Sequence, residues 1–395
     1  MKLPDDVRVL LARRFRSKHR EWLKACVSDN DFKAAWPIEI NLDIPTEQDA
    51  LKQPDGVRAW TLAWKSWQGS GTLVWCERRW RALGTQSIPE KLILNGPDDV
   101  ALWIGEATRW SRASHRFEVL LRRWPILIDV LPKHFSVLAD YDDVDFSCLA
   151  EMLSWICSNP NSNLYPRQIP VAGVDSKWLE SRRNLVSELV AAIQGDPSGE
   201  RDFFSRCGLR PPPQLIRVRI LDSSLRRCFG GLGDISAPLE EMVDIDIRPT
   251  HVFIVENLQT GLAFEDLAGS VVIMGLGYGV DVLGRIPWLR HARCIYWGDI
   301  DTHGFAILNR ARTWLPALEA VLMDNATLLG HRKLWVEEKE QHSASELPQL
   351  TPSEQDIYQS LKRNEWGKSV RLEQERIQWD VAWENIRRVM RSKLI

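Results

Sequence analysis

Apolar positions change rhythm along this chain near residue 250. Before it they recur mostly at the three-and-four spacing of helices that bury one face. That spacing predicts a basic helix over 1–30, a helix over 45–69, a long amphipathic helix from Asp98 or Asp99 to about Arg123, and further helix to about Ser158. Between them, 72–96 reads as extended, with turns at Gly84 and Gly96-Pro-Asp98. The turn-rich stretch Asn159-Pro-Asn-Ser-Asn163 marks a boundary. A helix over 175–196 follows, capped by Asp175 or Ser176, then the turn Gly195–Gly199 and a short helix. After Pro211-Pro-Pro213, the segment Ile216–Leu221 alternates like a half-exposed strand, with Arg217 and Arg219 on one face.

From 250 onward short apolar runs alternate with helical segments. Strands are predicted at 251–255, 271–274, 293–298 and 319–323, and helices at about 262–268, 279–285 and 303–315. This βαβα rhythm implies an α/β fold with a parallel sheet and right-handed crossovers. The polar stretch 336–354 reads as a loop, and helices over about 354–364 and 370–392 close the chain.

Composition narrows the picture. At 395 residues more than one domain is expected, and the pattern divides as 1–160, 165–248 and 249–395. Net charge is −2, so any nucleic-acid surface must arise from local clustering. One such cluster is the helix at 1–30, with Arg13, Arg14, Arg16, Lys18, Arg20 and Lys24; a solvated helix face explains it equally well. A second is Arg217, Arg219, Arg226 and Arg227, ahead of the turn Gly230-Gly-Leu-Gly233. Helix, helix, strand and basic turn is the order of a winged-helix module whose arginines face DNA phosphate, with ordinary surface charge as the alternative. Seven scattered cysteines without a C-x-x-C suggest neither zinc nor a disulfide framework. No run of about 18 apolar residues occurs and the N-terminal stretch does not have the form of a signal peptide, so a cytoplasmic, soluble protein is expected. Trp60, Trp64 and Trp67 share helical spacing and read as a packed face rather than a base-stacking platform.

The chemistry concentrates where apolar runs stop at a carboxylate. Val252-Phe-Ile-Val255 ends at Glu256, and Ile295-Tyr-Trp297 leads through Gly298 to Asp299-Ile-Asp301. Parallel strands bring such ends to one rim, and two acids flanking one residue point the same way. Three carboxylates there suit a hard cation such as Mg²⁺, with Mn²⁺ as a substitute, and Mg²⁺ held this way usually acts on phosphates. The competing reading for Asp299 and Asp301 is helix capping. His303 is a candidate phosphate contact, although a lone histidine more often caps or packs. Asp324 is a candidate outer acid, and Glu373 and Glu375 are candidates for a second metal against the alternative of a solvated helix face. Gly275-Leu-Gly-Tyr-Gly279 lacks the spacing of a dinucleotide loop and reads as a tight turn.

Glu256 followed by Asp299-Ile-Asp301 on alternating strands resembles the Toprim fold of topoisomerases, primases and some nucleases. The winged-helix-then-Toprim order resembles the A subunit of type IIB topoisomerases. A closer resemblance is to the JetD nuclease-subunit family of Wadjet anti-plasmid systems. It is carried by Tyr165-Pro-Arg-Gln-Ile-Pro170, Arg219-Ile-Leu-Asp222, Phe253-Ile-Val-Glu-Asn257, Tyr296–Gly304, Leu322-Met-Asp324 and Arg371-Leu-Glu-Gln-Glu375. The resemblance implies a homodimeric endonuclease that cuts plasmid DNA extruded by an SMC-type ATPase with kleisin-type and winged-helix partners, using metal at Glu256, Asp299 and Asp301. Unlike the topoisomerase relatives, this chain has no tyrosine between 166 and 277, which favours hydrolysis by water. Two rivals stand beside it. A transesterase would use Tyr165 or Tyr278, and a DNA-binding scaffold would use the acids only to brace loops.

Overall fold

The structure, a computed structural model, describes residues 1–196 and 201–391. Most of the turn expected at Gly195–Gly199, and the last residue of the helix expected to reach 392, lie outside that range. The chain forms two compact units, Met1–Pro212 and Pro213–Ile395, each around its own apolar core. The division falls within the proline run 211–213, inside the 165–248 range read as a winged-helix module: the helices Ser176–Ser181 and Arg183–Gln194 belong to the first unit, the strand that follows to the second. Among the described residues no helix is long and apolar enough to cross a membrane, and all seven cysteines are free.

The first unit packs helices against a three-stranded antiparallel sheet of β1 (Ile38–Asn41), β2 (Thr72–Trp80) and β3 (Gly84–Leu94), in the order β1-β3-β2. Trp60 and Trp64 are buried, and both indole N–H groups donate to the Lys2 carbonyl, at 2.8 and 2.9 Å. They are core residues, as their spacing predicted. The long helix expected from Asp98 to Arg123 is two helices, Pro97–Trp103 and Ala107–Arg123. Gly105, at φ +78°, breaks it in the left-handed region that glycine enters freely.

The second unit is built on a six-stranded sheet in the order β5-β4-β7-β6-β8-β9. Its strands are β4 (Leu215–Ile220), β5 (Asp234–Pro238), β6 (His251–Val255), β7 (Ser270–Met274), β8 (Arg293–Trp297) and β9 (Glu319–Ala320). β7, β6, β8 and β9 are mutually parallel, as the βαβα rhythm predicts. β6 and β7 are buried along almost their whole length, on both faces, which is why these strands are near-continuous apolar runs. The sheet as a whole is mixed, because the strand at 216–221, expected in a separate winged-helix module, joins it. β4 pairs antiparallel with both β7 and β5, burying Ile216, Val218 and Ile220 while Arg217 and Arg219 take the other face.

Near the chain's end the expected helix over 370–392 is a composite. β11 (Val370–Arg371) comes first, then a short turn of helix at Gln374–Arg376 and the helix Trp379–Arg391. β11 pairs with β10 (Val336–Glu337), which lies inside the stretch expected to be loop. Leu372 then exchanges backbone hydrogen bonds with Ile300, at 2.9 and 3.1 Å. This stitches the β10–β11 ribbon to the segment between Asp299 and Asp301.

Candidate active site

Val255 is in register with Trp297, so the ends of β6 and β8 open side by side. Glu256 leaves the first of these ends, Asp299 and Asp301 the second. All three line one cavity of about 600 Å³ together with His303, Glu338 and Arg371. Gly298 makes this close approach feasible: a Cβ there would collide with Glu256 Oε1 and with the Tyr296 ring.

Asp299 and Asp301 flank the bridged Ile300, and both turn an Oδ2 towards Arg371. Arg371 Nη2 donates to Asp299 Oδ2 at 2.6 Å, and its Nε lies 3.1 Å from Asp301 Oδ2. Asp299 Oδ1 accepts from the Gln374 backbone at 2.8 Å. Asp301 is 3% exposed and also caps the helix Thr302–Trp314, its Oδ1 accepting from Gly304 N at 2.7 Å. Asp301 therefore caps the helix, as one sequence reading had it, and lines the cavity as well. A Cβ at 304 would strike the Asp299 carbonyl, so the tight entry into this helix needs glycine.

Arg371 is the guanidinium that meets both aspartates, while Arg376 at the same cavity pairs with Glu373. Burial pushes the Glu256 carboxyl up to about 8; the Tyr296 hydroxyl, which donates to Glu256 Oε1, opposes the shift, and the charges of Asp299 and Asp301 add to it. Burial likewise pushes Asp301 up to about 6, against the Gly304 N–H and with help from Glu338 and Asp299. Among the described residues no three carboxylates, histidines or cysteines already converge as a metal cage. Instead Arg371 reaches both aspartates. Glu256, Asp299 and Asp301 are the oxygen donors here that could hold a hard divalent cation, in the place the guanidinium takes between the two Oδ2 atoms.

The other sequence candidates fall in different places. His303 is engaged at both nitrogens, Nδ1 with the Tyr278 hydroxyl and Nε2 with the Glu340 carbonyl at 3.0 Å. Glu373 lines the cavity but is held by Arg376 at 2.8 Å, and Glu375 is exposed. Asp324 caps the helix Asn325–Gly330 through Thr327 N. Of the four arginines, Arg217 pairs with Asp234 at 2.7 Å and Arg226 with Asp266, while Arg227 is exposed. Arg219 Nε is buried without a hydrogen-bond partner. The sequence reading gave no site role to Arg371, Glu338 or Tyr296. Tyr296 was signalled only by being a polar-tipped residue inside an apolar strand, and Glu338 sits in a polar stretch without periodicity.

A family model described as "Wadjet protein JetD, C-terminal" matches residues 208–386, a range that contains every residue of the cavity named above. A model described as "Uncharacterized protein conserved in bacteria N-term (DUF3322)" matches residues 4–191. A search of the curated proteins matched nothing. With the two models spanning most of both units, the chain belongs to the Wadjet JetD family.

Proposed function

We propose that this chain is a divalent-cation-dependent DNA endonuclease, the cutting subunit of a Wadjet assembly, with a Toprim catalytic domain over 249–395. Family membership supports a role in the Wadjet defence system and implies partner subunits of that system. The observation that carries the catalytic reading is the convergence of Glu256, Asp299 and Asp301 at adjacent parallel strand ends, with one guanidinium bridging the two aspartates. Glu256, Asp299 and Asp301 would hold Mg²⁺ or Mn²⁺. When bound, such an ion supplies charge neutralisation at the scissile phosphate and a lowered pKa for an attacking water. Arg371, parted from the aspartates, offers a planar fork to phosphate oxygens. Glu256 would alternatively act as the general base, taking a proton from that water instead of binding the ion. The substrate is double-stranded plasmid DNA, delivered by an SMC-type ATPase with kleisin-type and winged-helix subunits. A homodimer would set two sites across one duplex.

A second reading rests on Tyr278, 41% exposed and hydrogen-bonded to His303 beside the acids. It would make the enzyme a transesterase that stays attached to the cut end. One assay separates the two: closed circular plasmid, Mn²⁺ and the full set of Wadjet subunits with ATP, comparing wild type with Glu256→Ala and Asp299→Ala. Protein-free linear or nicked DNA from wild type alone is the expected result. Ends that enter a gel only after protease digestion would favour Tyr278, and equal cutting by the variants would overturn the site.

A further inference from the structure

Glu338 follows β10 in a stretch that reads as surface loop, yet it is 3% exposed. Its backbone N–H donates to the Ser369 carbonyl at 2.6 Å, fixing it to the ribbon that also carries Arg371. Its Oε1 accepts three hydrogen bonds at the start of the helix that Asp301 caps: from Thr302 N at 3.1 Å, Thr302 Oγ1 at 2.7 Å and His303 N at 3.3 Å. The carboxyl is thereby oriented beside the residue that follows Asp301, in the wall of the same cavity as Glu256 and Asp299.

The other oxygen is the informative one. Glu338 Oε2 is buried and has no hydrogen-bond partner. Buried carboxylate oxygens are costly unless a donor or cation meets them. Arg371 directs its Nη2 to Asp299 and its Nε towards Asp301, leaving Oε2 without a partner. Capping the helix needs only Oε1, so the cap does not explain why the second oxygen is buried without a partner.

We propose that Glu338 is a fourth carboxylate of the site, its Oε2 a ligand for a divalent cation held jointly with Asp301. The inference rests on the cation-dependent reading above and adds a residue to it. Lining the same cavity as Glu256, it fits either a shared ion or a second one.

Binding, rather than activity, tests it. Calorimetric titration of the full chain with Mn²⁺ is run for wild type, Glu338→Gln and Asp299→Asn. Gln keeps an acceptor for Thr302 and His303, so the helix cap survives. Glu338→Gln is expected to bind Mn²⁺ at least tenfold more weakly, or to lose one ion from the stoichiometry. Its metal-free melting temperature should not fall, while the rise in melting temperature on adding Mn²⁺ should shrink. A residue that only caps would leave the Mn²⁺ affinity, the stoichiometry and the Mn²⁺-induced rise in melting temperature unchanged in Glu338→Gln, and that pattern overturns the proposal. Glu338→Asp, which keeps the charge but withdraws the oxygen by one methylene, is the second variant should Gln misfold; wild-type affinity in it also overturns the proposal. No Mn²⁺ binding by wild type would instead remove the cation reading itself, and this inference with it.

Discussion

Replacing Glu256 by Gln should change how stability depends on pH in the metal-free protein. The Glu256 carboxyl lies at about 8 when folded, against an ordinary value of 4.5. The folded state therefore keeps a proton that the unfolded chain has already released. Stability is greatest below the unfolded value and is lost as pH rises towards the folded one. Between pH 5 and pH 8 the loss is roughly one proton over three pH units, about 4 kcal/mol. For a unit of this size that corresponds to a change on the order of 10 °C in melting temperature. Gln cannot ionise, so Glu256→Gln should gain on wild type by this amount across the interval. Asp301, lifted from 3.8 to about 6, leaves a residual slope in both proteins that is complete near pH 6. The assay is thermal unfolding by tryptophan fluorescence in EDTA, at half-unit pH steps. Parallel curves for the two proteins between pH 6 and 8 would refute the reasoning, since Glu256 would then be ionised like an ordinary surface acid.

The same protonation predicts that Mn²⁺ binding at pH 7 releases about one proton per chain, read from the buffer dependence of the calorimetric heat; none released would place Glu256 outside the site. Arg371→Gln should bind Mn²⁺ more tightly than wild type, because a competing cation has left the aspartates, while its metal-free stability drops by about 2 kcal/mol from the lost charged hydrogen bond; weaker Mn²⁺ binding would contradict the bridging role. Away from the site, Arg312 and Glu354 form a buried pair, with Arg312 Nη2 3.0 Å from Glu354 Oε1. Arg312→Met strands the carboxylate and should cost about 3–5 kcal/mol in urea unfolding, whereas a loss under 1 kcal/mol would mean the carboxylate finds another partner.

Which parts of this were legible beforehand follows from what creates a signal. Glu256, Asp299 and Asp301 stood out because β6 and β8 are buried on both faces, so each reads as an unbroken apolar run that a carboxylate ends abruptly. The direction of β4 left no such trace: alternation of Ile216, Val218 and Ile220 shows which face is buried, not which neighbour the strand pairs with. Arg371 and Glu338 were invisible as site residues for a related reason. Arg371 lies on a strand two residues long and Glu338 directly follows the other, the two paired through Val336 and Arg371, and two residues carry no periodicity. The arginines at 217 and 226 looked like a phosphate-facing cluster because their partners, Asp234 and Asp266, are distant in sequence. The break at Gly105 was the opposite case: the glycine was in view, but amphipathic spacing on both sides of it hid the interruption.

The account turns on a cation taking the position between the aspartates that Arg371 now spans. Anomalous diffraction from crystals soaked in Mn²⁺ tests this directly. A peak at coordination distance from Glu256, Asp299 and Asp301, with the Arg371 guanidinium moved off the two Oδ2 atoms, is the predicted result. A map with no peak there at saturating Mn²⁺, and Arg371 still bridging both aspartates, would contradict it.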